Sequence, residues 1–142
     1  MKYDEFKKML EKEKVRRKPR HIESAIQQSC VAWFRAKFPL YVIFSVPNGG
    51  SRNSLEAANL KKEGALAGAS DLVIVAERAI LFVEMKSSKG RQQESQKDFQ
   101  EKVERLGHQY SICHSLKEFQ LTIERFIKSK YGYDLQDKKR VL

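Results

Sequence analysis

The chain has 142 residues, 41% of them hydrophobic and 32% charged, a composition typical of a single globular domain with its own apolar core. No apolar run approaches the roughly 18 residues of a membrane-spanning helix, and the N-terminal residues lack the apolar centre of a signal peptide, so a cytoplasmic protein is expected. The net charge of +10 lies mostly at the two ends, where residues 1–20 carry nine Lys or Arg against four Asp or Glu and residues 128–142 carry five against two.

Basic ends on a nearly balanced middle favour attraction to a polyanion such as nucleic acid. Phosphate contacts from Lys and Arg give affinity that does not depend on sequence and that weakens steeply with salt. Simple solvation of the charged ends is the alternative. We therefore divide the chain into a basic N-terminal arm or helix over residues 1–20, a folded domain over 21–127 and a basic C-terminal tail over 128–142.

The first half of the chain changes from helical to extended patterns. Apolar residues at helical spacing are followed by prolines, which favour helix ends, and a run of β-branched and aromatic residues predicts a strand. Cys30 and Cys113 show no CxxC spacing and fall in apolar patterns, so both are predicted to be buried free thiols. The predicted elements are a helix over residues 4–17 that ends near Lys18-Pro19, a helix over 21–38, a strand over 40–46, a turn at 47–50 and a helix from 54 to 66.

Two apolar segments form the part of the chain around which the predicted fold is organised. Asp71–Ala76 and Ala79–Met85 are rich in Val, Ile, Leu and Phe and are only two residues apart, which predicts an antiparallel hairpin. A register symmetric about that turn puts Asp71 opposite Glu84, and period-two alternation puts Lys86 on the same face. Because both faces of the hairpin are apolar, helices are expected to cover both.

The second half of the chain is predicted to complete the sheet. A loop-like segment follows Lys86, and the helical pattern after it leads to another strand. This strand should run parallel to the preceding one because a helix connects them. The predicted elements are a helix over residues 93–106 with Gly107 as its C-cap, a strand over 108–114 and a helix over 115–130 with a Ser115/Glu118 capping box.

Asp71 and Glu84 are candidate metal ligands. Opposed carboxylates on one sheet face repel each other, and Mg²⁺ favours one or two carboxylates completed by water and phosphate oxygens. Lys86 could hold or activate a metal-bound water and offset phosphate charge, and the backbone carbonyl of Met85 could also ligate the metal. A chance ion pair between Glu84 and Lys86 at a sheet edge is the alternative.

These residues resemble the D…(D/E)xK signature of the PD-(D/E)XK nuclease superfamily, with Ser70 in place of the proline that precedes the first Asp. The resemblance is closer still to the virus-type replication-repair nuclease (VRR-NUC) branch, in its stand-alone form. The matching motifs, in chain order, are Glu23 on the first core helix, PNGG followed by Arg52, GxxxGxxD over 64–71, VExK over 83–86, and Gln96 followed by Phe99.

The resemblance implies a single-domain α/β fold with a restriction-endonuclease-like αβββαβ core, in which helices flank a mixed central sheet. It also implies a Mg²⁺- or Mn²⁺-dependent endonuclease that hydrolyses DNA, with Asp71 and Glu84 as metal ligands and Lys86 positioning the attacking water. Glu23 would complete the metal site, and Gln96 would orient Lys86 or a ligand. A Glu also suits a helix start without any metal, and a helical Gln is often simply solvated.

Branched DNA, such as a junction or flap in replication, repair or recombination, is the substrate expected from the resemblance, together with a homodimer that would bring two sites to one junction. Asn48, Arg52, Lys89 and Arg91 are candidate DNA contacts, although a plain turn and a solvated loop explain them equally well. Two other classes of function stay open, a non-catalytic nucleic-acid-binding module with a nuclease-like fold and an interaction protein with incidental charge.

Overall fold

The structure is a computed structural model that describes residues 2–47 and 53–131. In these ranges four helices and four strands follow one another, and the predicted αβββαβ core is present with one additional helix between its first two strands and another after its last. The elements are α1 Tyr3–Lys37, β1 Val42–Ser45, α2 Ser54–Lys62, β2 Leu72–Ala76, β3 Ala79–Met85, α3 Glu94–Arg105, β4 Gln109–Cys113 and α4 Leu116–Tyr131.

The strands form one mixed sheet in the order β1-β2-β3-β4, with β3 and β4 parallel and the other pairs antiparallel. The predicted hairpin register is confirmed, since Val73 pairs with Phe82 and Ala76 pairs with Ala79. Arg78 closes the two-residue turn with a left-handed φ of 53°. The start of β2 and the ends of β3 and β4 consequently lie side by side at the same end of the sheet.

Helices cover both faces of the sheet, as predicted. On one face α1 and α4 pack against each other and against the sheet. On the other face the ring of Phe99 from α3 contacts Phe82 at a centroid distance of 5.3 Å, edge to face. Glu84 lies two residues after Phe82 and therefore projects to the α3 side. On the face covered by α1 and α4, the fully buried side chains include Cys30, Phe34, Leu72, Leu81, Val83, Phe119 and Ile123.

Helix α1 does not end where the sequence predicted. The Lys18-Pro19 step favoured a helix end, but one helix of 35 residues runs from Tyr3 to Lys37. A proline inside a helix removes one backbone hydrogen bond, and the helix continues on both sides of it here. Glu23 accordingly lies within a long helix rather than near the start of a second one.

Smaller differences concern the ends of three elements. The first strand is limited to Val42–Ser45, and the helix predicted to reach residue 66 ends at Lys62, just before Gly64 with its φ of 108°. α4 ends at Tyr131, one residue beyond the predicted end at residue 130, and residues 132–142 of the predicted basic tail lie outside the described residues.

Three further observations concern the helices and the core. Within the described ranges no helix is both long and apolar enough to span a membrane. Cys30 and Cys113 are buried and free, as predicted. Trp33 packs edge to face against Phe38 and Phe119, with both centroid distances at 6.0 Å, so its ring belongs to the core.

Candidate active site

Asp71 and Glu84 lie side by side at the end of the sheet where β2 begins and β3 ends. Leu72 pairs with Val83, so the residues just beyond this pair, Asp71 and Glu84, are neighbours across the two strands. The backbone amide of Met85 donates a hydrogen bond of 2.7 Å to Asp71 Oδ2, which fixes that carboxylate against β3. Glu84 is only 3% exposed. The hairpin register thus brings both acids into one site that is partly shielded from solvent.

Burial is the main cause that raises the pKa of both acids. Burial and, to a smaller extent, the negative charge of Asp71 together raise the pKa of Glu84 to about 8, although the positive charge of Lys86 opposes the shift. Burial also raises the pKa of Asp71, against the opposing effect of the hydrogen bond from Met85. Taking carboxylates out of water disfavours their charged forms, so the pair does not readily hold two negative charges by itself.

One oxygen of this pair lacks a hydrogen-bond donor. In the part of the chain that the structure describes, Glu84 Oε2 is the buried side-chain oxygen or nitrogen with no hydrogen-bond partner. The group within reach is the carboxyl of Asp71, which can share a hydrogen bond with Glu84 only if one of the two is protonated. A proton or a cation between the two acids would satisfy this oxygen.

The other oxygen of Glu84 is held by two side chains. Gln96 Nε2 donates a hydrogen bond of 2.8 Å to Oε1, and Lys86 Nζ lies 3.7 Å from the same atom. Gln96 stands in the first turn of α3, where its own Oε1 accepts a 2.8 Å hydrogen bond from the Gln93 amide and so caps the helix. One glutamine therefore joins the start of α3 to the acidic pair.

Glu23 reaches the edge of the site from α1. Its Oε1 accepts a 2.7 Å hydrogen bond from the Ser87 amide, and its charge contributes to the raised pKa of Asp71. Among residues 2–47 and 53–131, however, no three His, Cys, Asp or Glu side chains form a cluster that could hold a metal. The structure thus joins Asp71 and Glu84 directly and leaves Glu23 beside them, bound to the chain that follows β3.

The remaining sequence candidates divide into two groups. Met85 ends β3, directly after Glu84, and Lys89 and Arg91 are exposed in the segment between β3 and α3. Asn48 and Arg52 lie outside the described residues.

Sequence reasoning missed the backbone amides that fix the site. The amides of Met85, Ser87 and Gln93 bind Asp71, Glu23 and Gln96, respectively. Every residue type except proline carries such a group, so no side-chain pattern marks these positions. A capping-box reading of Gln96, three residues after the helix N-cap, was the one signal that could have predicted one of these contacts.

A mixed sheet between helices, with two acids and a lysine at the end of a hairpin, defines a restriction-endonuclease-like α/β domain. A profile of the VRR-NUC domain family matches residues 11–117, and the chain belongs to this family. The family is of the nuclease type.

Two solved structures support the fold. One, described as a VRR_NUC domain protein, is 23% identical with a TM-score of 0.62 and covers 75% of this chain and 88% of its own. A second, described as a VRR_NUC domain, is 21% identical with a TM-score of 0.55, over 74% of this chain and 97% of its own. No functionally curated protein matches the sequence.

Proposed function

We propose that the protein is a metal-dependent endonuclease that hydrolyses DNA phosphodiester bonds. The observation that carries the proposal is the pair of half-buried Asp71 and buried Glu84, in which Glu84 Oε2 receives no hydrogen bond. A buried carboxylate oxygen without a donor costs stability when the group is ionised, and a bound cation would supply the missing partner. Membership of a nuclease-type family supports the same conclusion.

The donor set suits Mg²⁺ or Mn²⁺. Carboxylate oxygens are hard ligands, and Mg²⁺ needs only one or two of them when water and phosphate oxygens complete its shell. Asp71 and Glu84 would hold the ion, and Glu23 and the Met85 carbonyl are further candidate oxygens. When bound, such an ion stabilises charge on the phosphate and lowers the pKa of a bound water.

The protein groups around the acids would orient the reaction. Met85 and Gln96 hold Asp71 and Glu84 through hydrogen bonds of 2.7 and 2.8 Å, so neither carboxylate must be ordered when substrate binds. Lys86, with its side chain 15% exposed, would hold the attacking water and offset negative charge on the phosphate.

Branched DNA and a homodimer belong to the same proposal. The net charge of +10 favours a nucleic-acid partner, and the family resemblance suggests junctions or flaps. Edge strand β1 leaves Val42 and Phe44 about half exposed, which offers apolar area for a subunit contact. Two sites related by a two-fold axis would suit two strands of one junction.

Cleavage of a labelled four-way junction and of a linear duplex, each with Mg²⁺ or with EDTA, tests the proposal. Wild type should nick the junction only with the metal, and Asp71→Asn and Lys86→Ala should each reduce the rate by on the order of 10²-fold or more. The matched controls Asp98→Asn and Lys62→Ala alter exposed residues and should keep the wild-type rate.

Equal rates for wild type and both site variants would overturn the proposal. Calorimetry with Mg²⁺ separates the proposed enzyme from a non-catalytic DNA-binding module, which would bind DNA but show no metal binding that depends on Asp71. Light scattering of the purified chain measures the subunit number.

A further inference from the structure

The segment between β3 and α3, residues 86–93, is basic and yet held in place. Lys89 and Arg91 are exposed in its middle. At its start the Ser87 amide binds Glu23 Oε1 at 2.7 Å, and the Gly90 amide returns to the Ser87 carbonyl at 2.9 Å to close a turn. Two exposed cations are thus carried by a backbone whose first half is fixed by hydrogen bonds.

Gln92 holds the second half of this segment. Its Nε2 donates hydrogen bonds to Gln100 Oε1 at 2.8 Å and to the Tyr110 hydroxyl at 3.3 Å. The two acceptors belong to different elements, Gln100 to α3 and Tyr110 to β4. Gln92 is half-buried, unlike Arg91 and Gln93 on either side of it. The side-chain amide of Gln92 therefore connects the segment to both α3 and β4.

Tyr110, which accepts one of the Gln92 hydrogen bonds, is itself fixed by packing. The residue is 9% exposed, and its ring lies 6.2 Å from that of Phe99, which in turn contacts Phe82. Burial raises the pKa of the Tyr110 phenol to about 12, and the charges of Glu84 and Asp71 act in the same direction, so the hydroxyl stays protonated and lies within electrostatic reach of the acidic pair.

We infer that Gln92 is a positioning residue that keeps Lys89 and Arg91 on an ordered segment beside the acidic pair, where they bind DNA phosphates. Ordering flexible side chains and loops on binding weakens affinity, so a segment that is already ordered binds more tightly than a mobile one with the same charge. The inference rests on the proposed function, because it assigns part of the DNA contact to this segment. Gln92 itself need not touch DNA.

Binding of a labelled four-way junction in EDTA tests the inference without cleavage. Gln92→Ala removes both hydrogen bonds of the Gln92 amide and should bind the junction roughly tenfold more weakly than wild type. Tyr110→Phe keeps the buried ring and removes only the 3.3 Å bond, so its affinity should fall by a smaller factor. Because Gln92→Ala already lacks the bond that Tyr110→Phe removes, the double variant should bind no more weakly than Gln92→Ala alone. Gln109→Ala is the matched control, since its amide bonds Ser129 on α4 instead, and it should bind like wild type.

A second arm separates positioning from general stability. In a Lys89→Ala/Arg91→Ala background the cations are absent, so adding Gln92→Ala should change affinity by less than about twofold. A structural role alone would weaken binding equally in both backgrounds, and that result would overturn the inference, as would wild-type affinity of Gln92→Ala and Tyr110→Phe. If wild type binds DNA but does not cleave it, the proposed function fails while these comparisons still decide the role of Gln92.

Discussion

Gly68 lies against the backbone of Ser95, so that a Cβ atom at position 68 would fall 2.1 Å from the Ser95 carbonyl oxygen. Gly68 also has a left-handed φ of 85°. Ser95 stands next to Gln96 in α3, and Gly68 precedes Asp71 by three residues. The loop that precedes Asp71 therefore packs closely against the first turn of α3, which carries Gln96.

The first prediction concerns this approach. Gly68→Ala should strongly destabilise the protein, because the methyl group meets backbone atoms that cannot rotate away and the φ is unfavourable. Gly64→Ala is a matched control with a φ of 108° and no heavy atom within 4 Å of the added Cβ. It should cost only about 1–2 kcal/mol in free energy of unfolding. Urea unfolding of both variants measures the difference, and equal costs would show that the contact with Ser95 is unimportant.

The second prediction separates the two roles of Gln96. Gln96→Ala removes the helix cap and the donor to Glu84, so it should lower both stability, by about 1 kcal/mol, and cleavage, by roughly 10-fold to 100-fold. Gln96→Glu keeps an acceptor for the Gln93 amide but, when ionised, cannot donate to Glu84. It should keep the cap and still lose cleavage. Thermal unfolding and initial rates measured on the same preparations check this, and full activity of Gln96→Glu would contradict it.

The third prediction follows from the raised pKa of Glu84. Its folded-state pKa of about 8 exceeds the ordinary value of 4.5, so the folded state binds more protons between these pH values. The resulting stability is fully present below pH 4.5 and is lost as the pH rises through about 8. In EDTA the melting temperature should thus fall over this range, beyond the change shown by Glu84→Gln. Parallel pH profiles for the two proteins would contradict the shift.

The fourth prediction concerns the two thiols. Burial raises the pKa of Cys30 to about 12 and also raises that of Cys113, so neither forms a thiolate at neutral pH. Since the thiolate is the reactive form, a disulfide reagent at pH 7.5 should label neither cysteine in the native protein and both after denaturation. Rapid labelling of native protein would show that the core between α1 and the sheet opens.

The hairpin was the most predictable part of the site. A two-residue turn between apolar strands determines the pairing of every residue in both strands, so the register that joins Asp71 with Glu84 followed from counting. Lys86 followed from period-two alternation, and its ammonium lies 3.7 Å from Glu84. Both results depend on contacts between residues close in sequence.

Contacts between residues far apart in the sequence were harder to predict. Glu23 and Ser87 are 64 positions apart, and their hydrogen bond depends on how α1 lies on the sheet. Local signals also misled: Pro19 favoured a helix end that α1 does not have, and Glu118 accepts from the His114 amide rather than from Ser115 of the predicted capping box. The Ser115 half of that box is present, since its hydroxyl accepts from the Glu118 amide.

The locality of the hairpin has a consequence for the order of folding. β2 and β3 can pair as soon as a two-residue turn forms, whereas the parallel pairing of β3 with β4 must wait for α3 to be placed between them. We therefore expect Asp71 and Glu84 to meet before α3 can supply Gln96 to Glu84. A hairpin without α3 lacks the hydrogen bond from Gln96, so the cost of bringing the two carboxyl groups together falls on the hairpin alone.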